Sequence, residues 1–78
     1  MPSKHINFSQ SLLGFGSYIL HKLKKPKTID DLWNEYQFDY KNELFTAFQT
    51  FDNLILTLIF LYGVNTIVEE NGIIKKCN

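Results

Sequence analysis

The His and Cys side chains of this sequence, the usual zinc ligands, are His5, His21 and Cys77. Zinc sites usually contain close ligand pairs such as C-x-x-C or H-x-x-x-H, because one short segment must aim two donors at one ion. These three residues are far apart in the chain and form no such pair. The sequence therefore predicts exposed or terminal side chains at these positions, and no metal or other cofactor.

Catalytic and nucleotide-binding motifs also have recognisable spacings. The chain lacks the G-x-S-x-G elbow of serine hydrolases. The GFG sequence at 14–16 lacks the third glycine and the preceding strand of a dinucleotide site. The acidic pairs at 30–31 and 69–70 are typical of a helix start and a turn. We therefore expect a protein that is not an enzyme and has no small-molecule substrate.

Charged side chains are balanced, with eight lysines, eight acidic residues and no arginine. A neutral chain has no net field to attract nucleic acid or an anionic membrane, and arginine is the best bidentate ligand for phosphate and guanine. The lysines that remain candidates for nucleic-acid contact are Lys22, Lys24, Lys25, Lys27, Lys75 and Lys76. A lysine-rich helix end is usually only solvated, and we favour that interpretation; the alternative is non-specific DNA contact within a larger complex.

A chain of 78 residues forms one small domain with a thin core, here taken as residues 1–78. Its most apolar stretch, 54–64, is much shorter than the roughly 20 residues of a membrane-spanning helix. The N-terminal stretch has no small-residue cleavage site for export, and a single cysteine cannot form an internal disulfide. We expect a cytoplasmic protein that does not contact a membrane.

Apolar spacing predicts two helices in the first half of the chain. Pro26 ends the first helix, and glycines in that helix predict close approach of another backbone or, alternatively, a notch for a partner. The first apolar stripe is Leu12, Phe15, Ile19 and Leu23. Thr28 and Asp31 resemble a capping box that starts the second helix. The second stripe is Ile29, Leu32, Trp33 and Tyr36, after which residues 37–42 have the spacing of an extended segment.

Helical spacing resumes at Leu44 and Phe48, and Gly63 is a plausible C-cap. The sequence leaves open whether 43–63 is one helix or two, broken near Thr50, which could cap a second start. The wheel of this helix turns one group of apolar residues toward the core: Phe51, Ile55, Leu58 and Tyr62, flanked by Leu54, Ile59 and Leu61.

The sequence Asn71-Gly72 between β-branched runs predicts a C-terminal hairpin. A two-residue loop would pair Glu69 with Ile74, whereas a four-residue loop would pair apolar residues with each other. We therefore favour the four-residue loop, with Gly72 in the left-handed region. Residues 5–8 are predicted to add an edge strand. Helix, helix, helix and hairpin in this order give a mainly α, winged-helix fold.

Three stretches, KHINFSQSLLGFGSYIL, PKTIDDLWNEY and FDNLILTLIFLYGVNTIVEENGIIKK, resemble the small middle components of ABC-three-component bacterial defence systems. The Lamassu anti-phage systems carry a similar small subunit. The resemblance implies a non-catalytic subunit beside an SMC-like or Rad50-like ATPase and a separate effector, often a nuclease. It brings no catalytic residue. It also implies a small residue in the middle of the third helix, from which Thr57 of this chain is a mild departure.

The third helix also carries large apolar residues on the side away from its predicted core stripe. Leu56 and Phe60 are four residues apart there and contact each other. A helix that is apolar on both sides is either buried all round or docked on a partner, and the sequence leaves both open. The aromatic residues Tyr36, Phe38 and Tyr40 are predicted to extend this partner-binding surface.

Together these features favour an adaptor that binds the ATPase and links it to an effector. The alternative is a small DNA-binding winged-helix regulator. Sequence readers normally present Arg, Lys, Asn or Gln on the exposed side of the recognition helix, and 51–63 has no basic residue.

Overall fold

The computed structural model describes residues 12–77. These residues form three helices and a three-stranded antiparallel sheet with strand order β1-β3-β2. The elements in chain order are α1 (Leu12–Lys22), β1 (Lys27–Thr28), α2 (Ile29–Lys41), α3 (Phe51–Gly63), β2 (Ile67–Glu70) and β3 (Ile73–Lys76). The predicted winged-helix layout, mainly helical with a C-terminal hairpin, is confirmed. The edge strand predicted over 5–8 lies outside the described residues.

Helix α1 buries the predicted stripe from Phe15 onward, whereas Leu12 is 42% exposed and does not belong to it. The predicted close approach of another backbone is not what Gly16 accommodates, because side chains of α3 make the contact there. A Cβ at Gly16 would lie 3.3 Å from Leu61 Cδ2 and 3.7 Å from Thr57 Cγ2. Gly16 therefore lets α1 seat directly on the middle of α3.

Helix α2 begins with the predicted capping box. The Asp31 N–H donates to Thr28 Oγ1 (3.0 Å), and the Thr28 N–H donates to the Asp31 carboxylate (3.3 Å). The extended segment predicted over 37–42 is wrong, because the helix continues to Lys41. The stripe of buried residues continues through Asp39, a charged residue at a core position. That carboxylate interrupted the apolar pattern without interrupting the helix.

Residues 42–50 connect α2 to α3 and are not helical, so the spacing of Leu44 and Phe48 was misleading. Glu43 turns the chain with a φ of 61°. Thr50 does cap a helix start, since its Oγ1 accepts from the Asn53 N–H at 3.1 Å. Gly63 is the last residue of α3 rather than its cap, and the left-handed conformation falls instead at Asn65. Asparagine tolerates this conformation better than most residues.

The hairpin has a two-residue loop, which corrects the predicted four-residue loop. Glu69 pairs with Ile74, and Asn71 and Gly72 both have positive φ, as predicted for Gly72. This is the backbone pattern that Asn-Gly favours in tight hairpins, and it prevails over apolar pairing. Ile67 and Ile74 still share the inner face of the sheet as diagonal neighbours, and both are buried. The wing therefore keeps its apolar contact with the helices.

Candidate protein-interaction surface

Helix α3 is rotated relative to the predicted wheel. Its buried residues are Leu54, Thr57, Leu58 and Leu61. Of the predicted core stripe only Leu58 is buried, while Tyr62 is 60% exposed. The reason is the small pair Gly16 and Thr57, which sets the contact line between the helices. The Thr57 hydroxyl donates to the Asn53 carbonyl (2.7 Å), so this buried polar group is satisfied.

The rotation leaves a wide apolar surface on the outer side of α3. Leu56 is 58% exposed and Ile59 is 61% exposed. Phe60 is half-buried and packs partly against the core. We call the following residues the α3 face: Phe51, Ile55, Leu56, Ile59, Phe60 and Tyr62. The one charged residue of the helix is Asp52, so this surface is suited to protein contact rather than to phosphate.

The α3 face continues into a groove against the wing. The groove has a volume of about 300 Å³ and is lined by Ile29, Ile55, Leu58, Ile59, Tyr62, Ile67, Glu69 and Ile74. Glu69 is its only charged residue, and its carboxylate accepts from the Gly72 N–H at 2.6 Å. An open apolar groove of this kind can hold apolar side chains of a partner segment.

A second exposed apolar surface lies at the end of α2 and in the connection after it. Tyr40 of the predicted set is exposed there, and Phe48 of the connection, which the prediction did not include, is exposed with it. Phe38 and Leu44 are exposed as well, but Phe38 is two residues from Tyr40 on the helix and therefore lies on a different side of it. The rings of Tyr40 and Phe48 are 6.0 Å apart between centroids, edge to face. We call Tyr40 and Phe48 the α2-end patch. No periodic signal pointed to Leu44 and Phe48 as surface residues, because their spacing imitated a helix.

Tyr36 does not belong to either surface, which corrects its assignment to partner contact. Its side chain is 3% exposed. The hydroxyl donates to the Ala47 carbonyl (3.0 Å) and accepts from the Gln49 N–H (2.7 Å). Burial raises the pKa of this hydroxyl above 10.0. Tyr36 therefore fixes the connection between α2 and α3 to the core.

A polar network joins α1 to α2. The Tyr18 hydroxyl donates to Asp39 Oδ2 at 2.5 Å, and Lys22 Nζ lies 2.8 Å from the same oxygen. Burial and then the bond to Asp39 raise the pKa of Tyr18. Burial opposes ionisation of Asp39, but hydrogen bonds from Lys22 and Tyr18 prevail, and the pKa of that carboxyl is lowered. The network holds Asp39 as a carboxylate inside the fold.

The candidate lysines divide into two groups. Lys22 and Lys27 contact Glu35 at 3.9 and 2.9 Å, and Lys75 contacts Glu70 at 3.1 Å. Of the six candidates, Lys24, Lys25 and Lys76 are exposed and have no acidic group within ion-pairing distance among residues 12–77. Three of the six candidates therefore serve the fold, and three are available to a ligand.

The remaining candidates from the sequence are the possible metal ligands and the apolar stretch of the third helix. Within residues 12–77, no group of three or more His, Cys, Asp and Glu side chains comes together as a metal site. His5 lies outside the described residues, and Cys77 is exposed. In that same part of the chain, no helix has the length and apolar character needed to cross a membrane.

Comparison with known protein families gives a match over nearly the whole chain. The family model described as ABC-three component (ABC-3C) system Middle Component 6 matches residues 1–77. No curated protein and no solved structure matches. The resemblance to middle components of such systems is thereby confirmed, while the likeness to the Lamassu small subunit stays a prediction.

Proposed function

Because this chain belongs to the middle components of ABC-three component systems, we propose that it is a non-catalytic adaptor in a defence complex against phage. In this proposal it binds an SMC-like or Rad50-like ATPase and links that ATPase to an effector such as a nuclease. It acts by binding and not by chemistry: it contacts one conformational state of a partner better than the other and so favours that state.

The observation that carries the proposal is the α3 face. A winged-helix domain that reads DNA normally presents polar and basic side chains on this helix. Here the outward side chains are Leu56, Ile59 and Tyr62, all more than half exposed. Because these side chains are already partly buried, covering one of them stabilises a complex by about 1–2 kcal/mol, and a partner that covers all three gains a large share of its affinity there.

The α2-end patch gives the adaptor a second place to bind. It draws its residues from α2 and the connection, and the α3 face draws its own from α3. A subunit that links two proteins needs two contact regions, and each of these regions has exposed aromatic or aliphatic anchors. We assign the ATPase to the α3 face and the effector to the α2-end patch.

The test is the double variant Leu56→Asp with Ile59→Asp, coexpressed with the other components of the system. Both side chains are more than half exposed, so the isolated domain should remain folded by circular dichroism. Two carboxylates buried in an apolar contact are costly, and copurification with the ATPase should be lost. Phe60 is left unchanged because it packs partly on the core.

Leu13→Asp is the matched control, since Leu13 is 61% exposed and lies on α1. It should leave copurification unchanged. A folded double variant that still holds the ATPase would contradict the assignment of the α3 face, and loss of the complex in the control as well would show a general effect of added charge.

A further inference from the structure

The sheet brings together two groups of lysines that are distant in sequence. Lys27 pairs with Ile74 in the antiparallel ladder between β1 and β3. Because the two strands are antiparallel, the residues before Lys27 and the residues after Ile74 lie toward the same end of the strand pair. Lys24 and Lys25 precede β1, and Lys76 ends β3, so all three lie at the same end of this strand pair. The fold therefore makes one basic patch, Lys24, Lys25 and Lys76, from two segments that are distant in the sequence.

The neutral total charge hides a separation of charge. All eight acidic residues lie between positions 30 and 70, and Lys41 is the single lysine in that interval. Glu35, which lines the same groove as Lys24 and Lys25, is already engaged by Lys22 and Lys27. Lys24, Lys25 and Lys76 themselves have no acidic group of residues 12–77 within ion-pairing distance.

The surroundings of the patch favour phosphate over protein. A shallow groove of about 310 Å³ is lined by His21, Lys22, Lys24, Lys25, Lys27 and Glu35, all of them polar. A protein partner normally requires an apolar anchor at the centre of its contact, and this groove offers none. A phosphate backbone requires only cations and hydrogen-bond donors, which lysines supply as point charges.

We propose that Lys24, Lys25 and Lys76 form a site for the phosphate backbone of double-stranded nucleic acid. The site does not read sequence, because the chain has no arginine and the patch is not on α3. It uses residues separate from the α3 face and the α2-end patch, so the inference does not rest on the proposed adaptor role.

Fluorescence anisotropy of the purified full chain with a short labelled duplex tests the site. Three phosphate contacts give a slope of about −2.7 in log affinity against log salt, which is about a 40-fold loss between about 50 and 200 mM salt. A duplex of unrelated sequence should bind equally. No detectable binding at the lowest salt, or a clear preference for one sequence, would overturn the proposal.

Single charge reversals locate the site. Lys24→Glu, Lys25→Glu and Lys76→Glu should each weaken binding and reduce the slope by about 1. Lys41→Glu has the same net charge as each of these variants but lies outside the patch, and should keep the wild-type slope. Equal loss in Lys41→Glu would show that only net charge matters. Competition by poly-glutamate as effective as competition by unlabelled duplex would reassign the patch to an acidic protein segment.

Discussion

Two interfaces hold α1 in place, and they differ in chemistry. Against α3, Gly16 rests on Leu61 and Thr57, and the contact is one of shape. Against α2, the side chains of Tyr18 and Lys22 converge on Asp39, and the contact is one of charge and hydrogen bonding. The first interface depends on filled volume and the second on the ionisation of one carboxyl group, so different changes should break them.

The largest effect is expected at the interface of shape. Leu61→Ala removes a buried side chain that covers Gly16, and the cavity should lower the free energy of unfolding by about 3 kcal/mol. The loss should be the same at low and high salt, because no charge is involved. Urea unfolding measures it, with the exposed Leu56→Ala on the same helix as the control, expected within about 0.5 kcal/mol of wild type. Equal losses in the two variants would place Leu61 outside the core.

The interface of charge should give a smaller and pH-dependent effect. Asp39→Asn keeps the shape but removes the carboxylate that Tyr18 and Lys22 contact, and should lower the free energy of unfolding by about 2 kcal/mol at neutral pH. The folded pKa of Asp39 lies below its ordinary value of 3.8. A carboxyl with a lowered pKa stabilises the fold above its unfolded pKa and loses that contribution as pH falls through the folded pKa.

The difference between wild type and Asp39→Asn should therefore be full above about pH 5 and should shrink as pH falls below the unfolded pKa. Urea unfolding at a series of pH values measures this, and the exposed Asp30→Asn in α2 is the control. A difference that stays constant down to strong acid would show that Asp39 is not ionised in the fold.

The smallest effect is expected at the hairpin loop, which takes part in neither interface. Gly72 has a φ of +83°, and nothing lies within 4 Å of a Cβ placed there. Gly72→Val should cost about 1 kcal/mol or slightly more from backbone strain alone, while Gly72→Asn should cost less. Thermal unfolding compares the two variants. Equal stability of Val and Asn would contradict the left-handed conformation of the loop.

The features that the sequence predicted well are those with local causes. The capping box of Thr28 and Asp31 lies within four residues, and the Asn-Gly hairpin lies within one turn. The end of α2 was missed because its core position is filled by Asp39, whose partners are on α1 and cannot be read from local spacing. The hairpin register was missed because apolar pairing was given more weight than the geometry of a two-residue turn.

The candidate surface was predicted only in part, because the exposure of its residues depends on contacts that are distant in the sequence. Leu56 stood out because it lies near polar residues of α3, but Ile59 and Tyr62 were assigned to the core side. Their exposure depends on the rotation of α3, which the contact of Thr57 with Gly16 sets. The small residues at these two positions were the available signal, since two helices approach most closely where both side chains are small.

The Tyr36 hydroxyl has a mechanical consequence. By bonding the Ala47 carbonyl and the Gln49 N–H, it ties the connection that carries Leu44 and Phe48 to the body of the domain. A connection fixed in this way is a rigid spacer and not a flexible linker. In the proposed adaptor, proteins bound at the α3 face and at the α2-end patch would therefore be held at a set distance and angle, and a rotation of one would be transmitted as torque to the other.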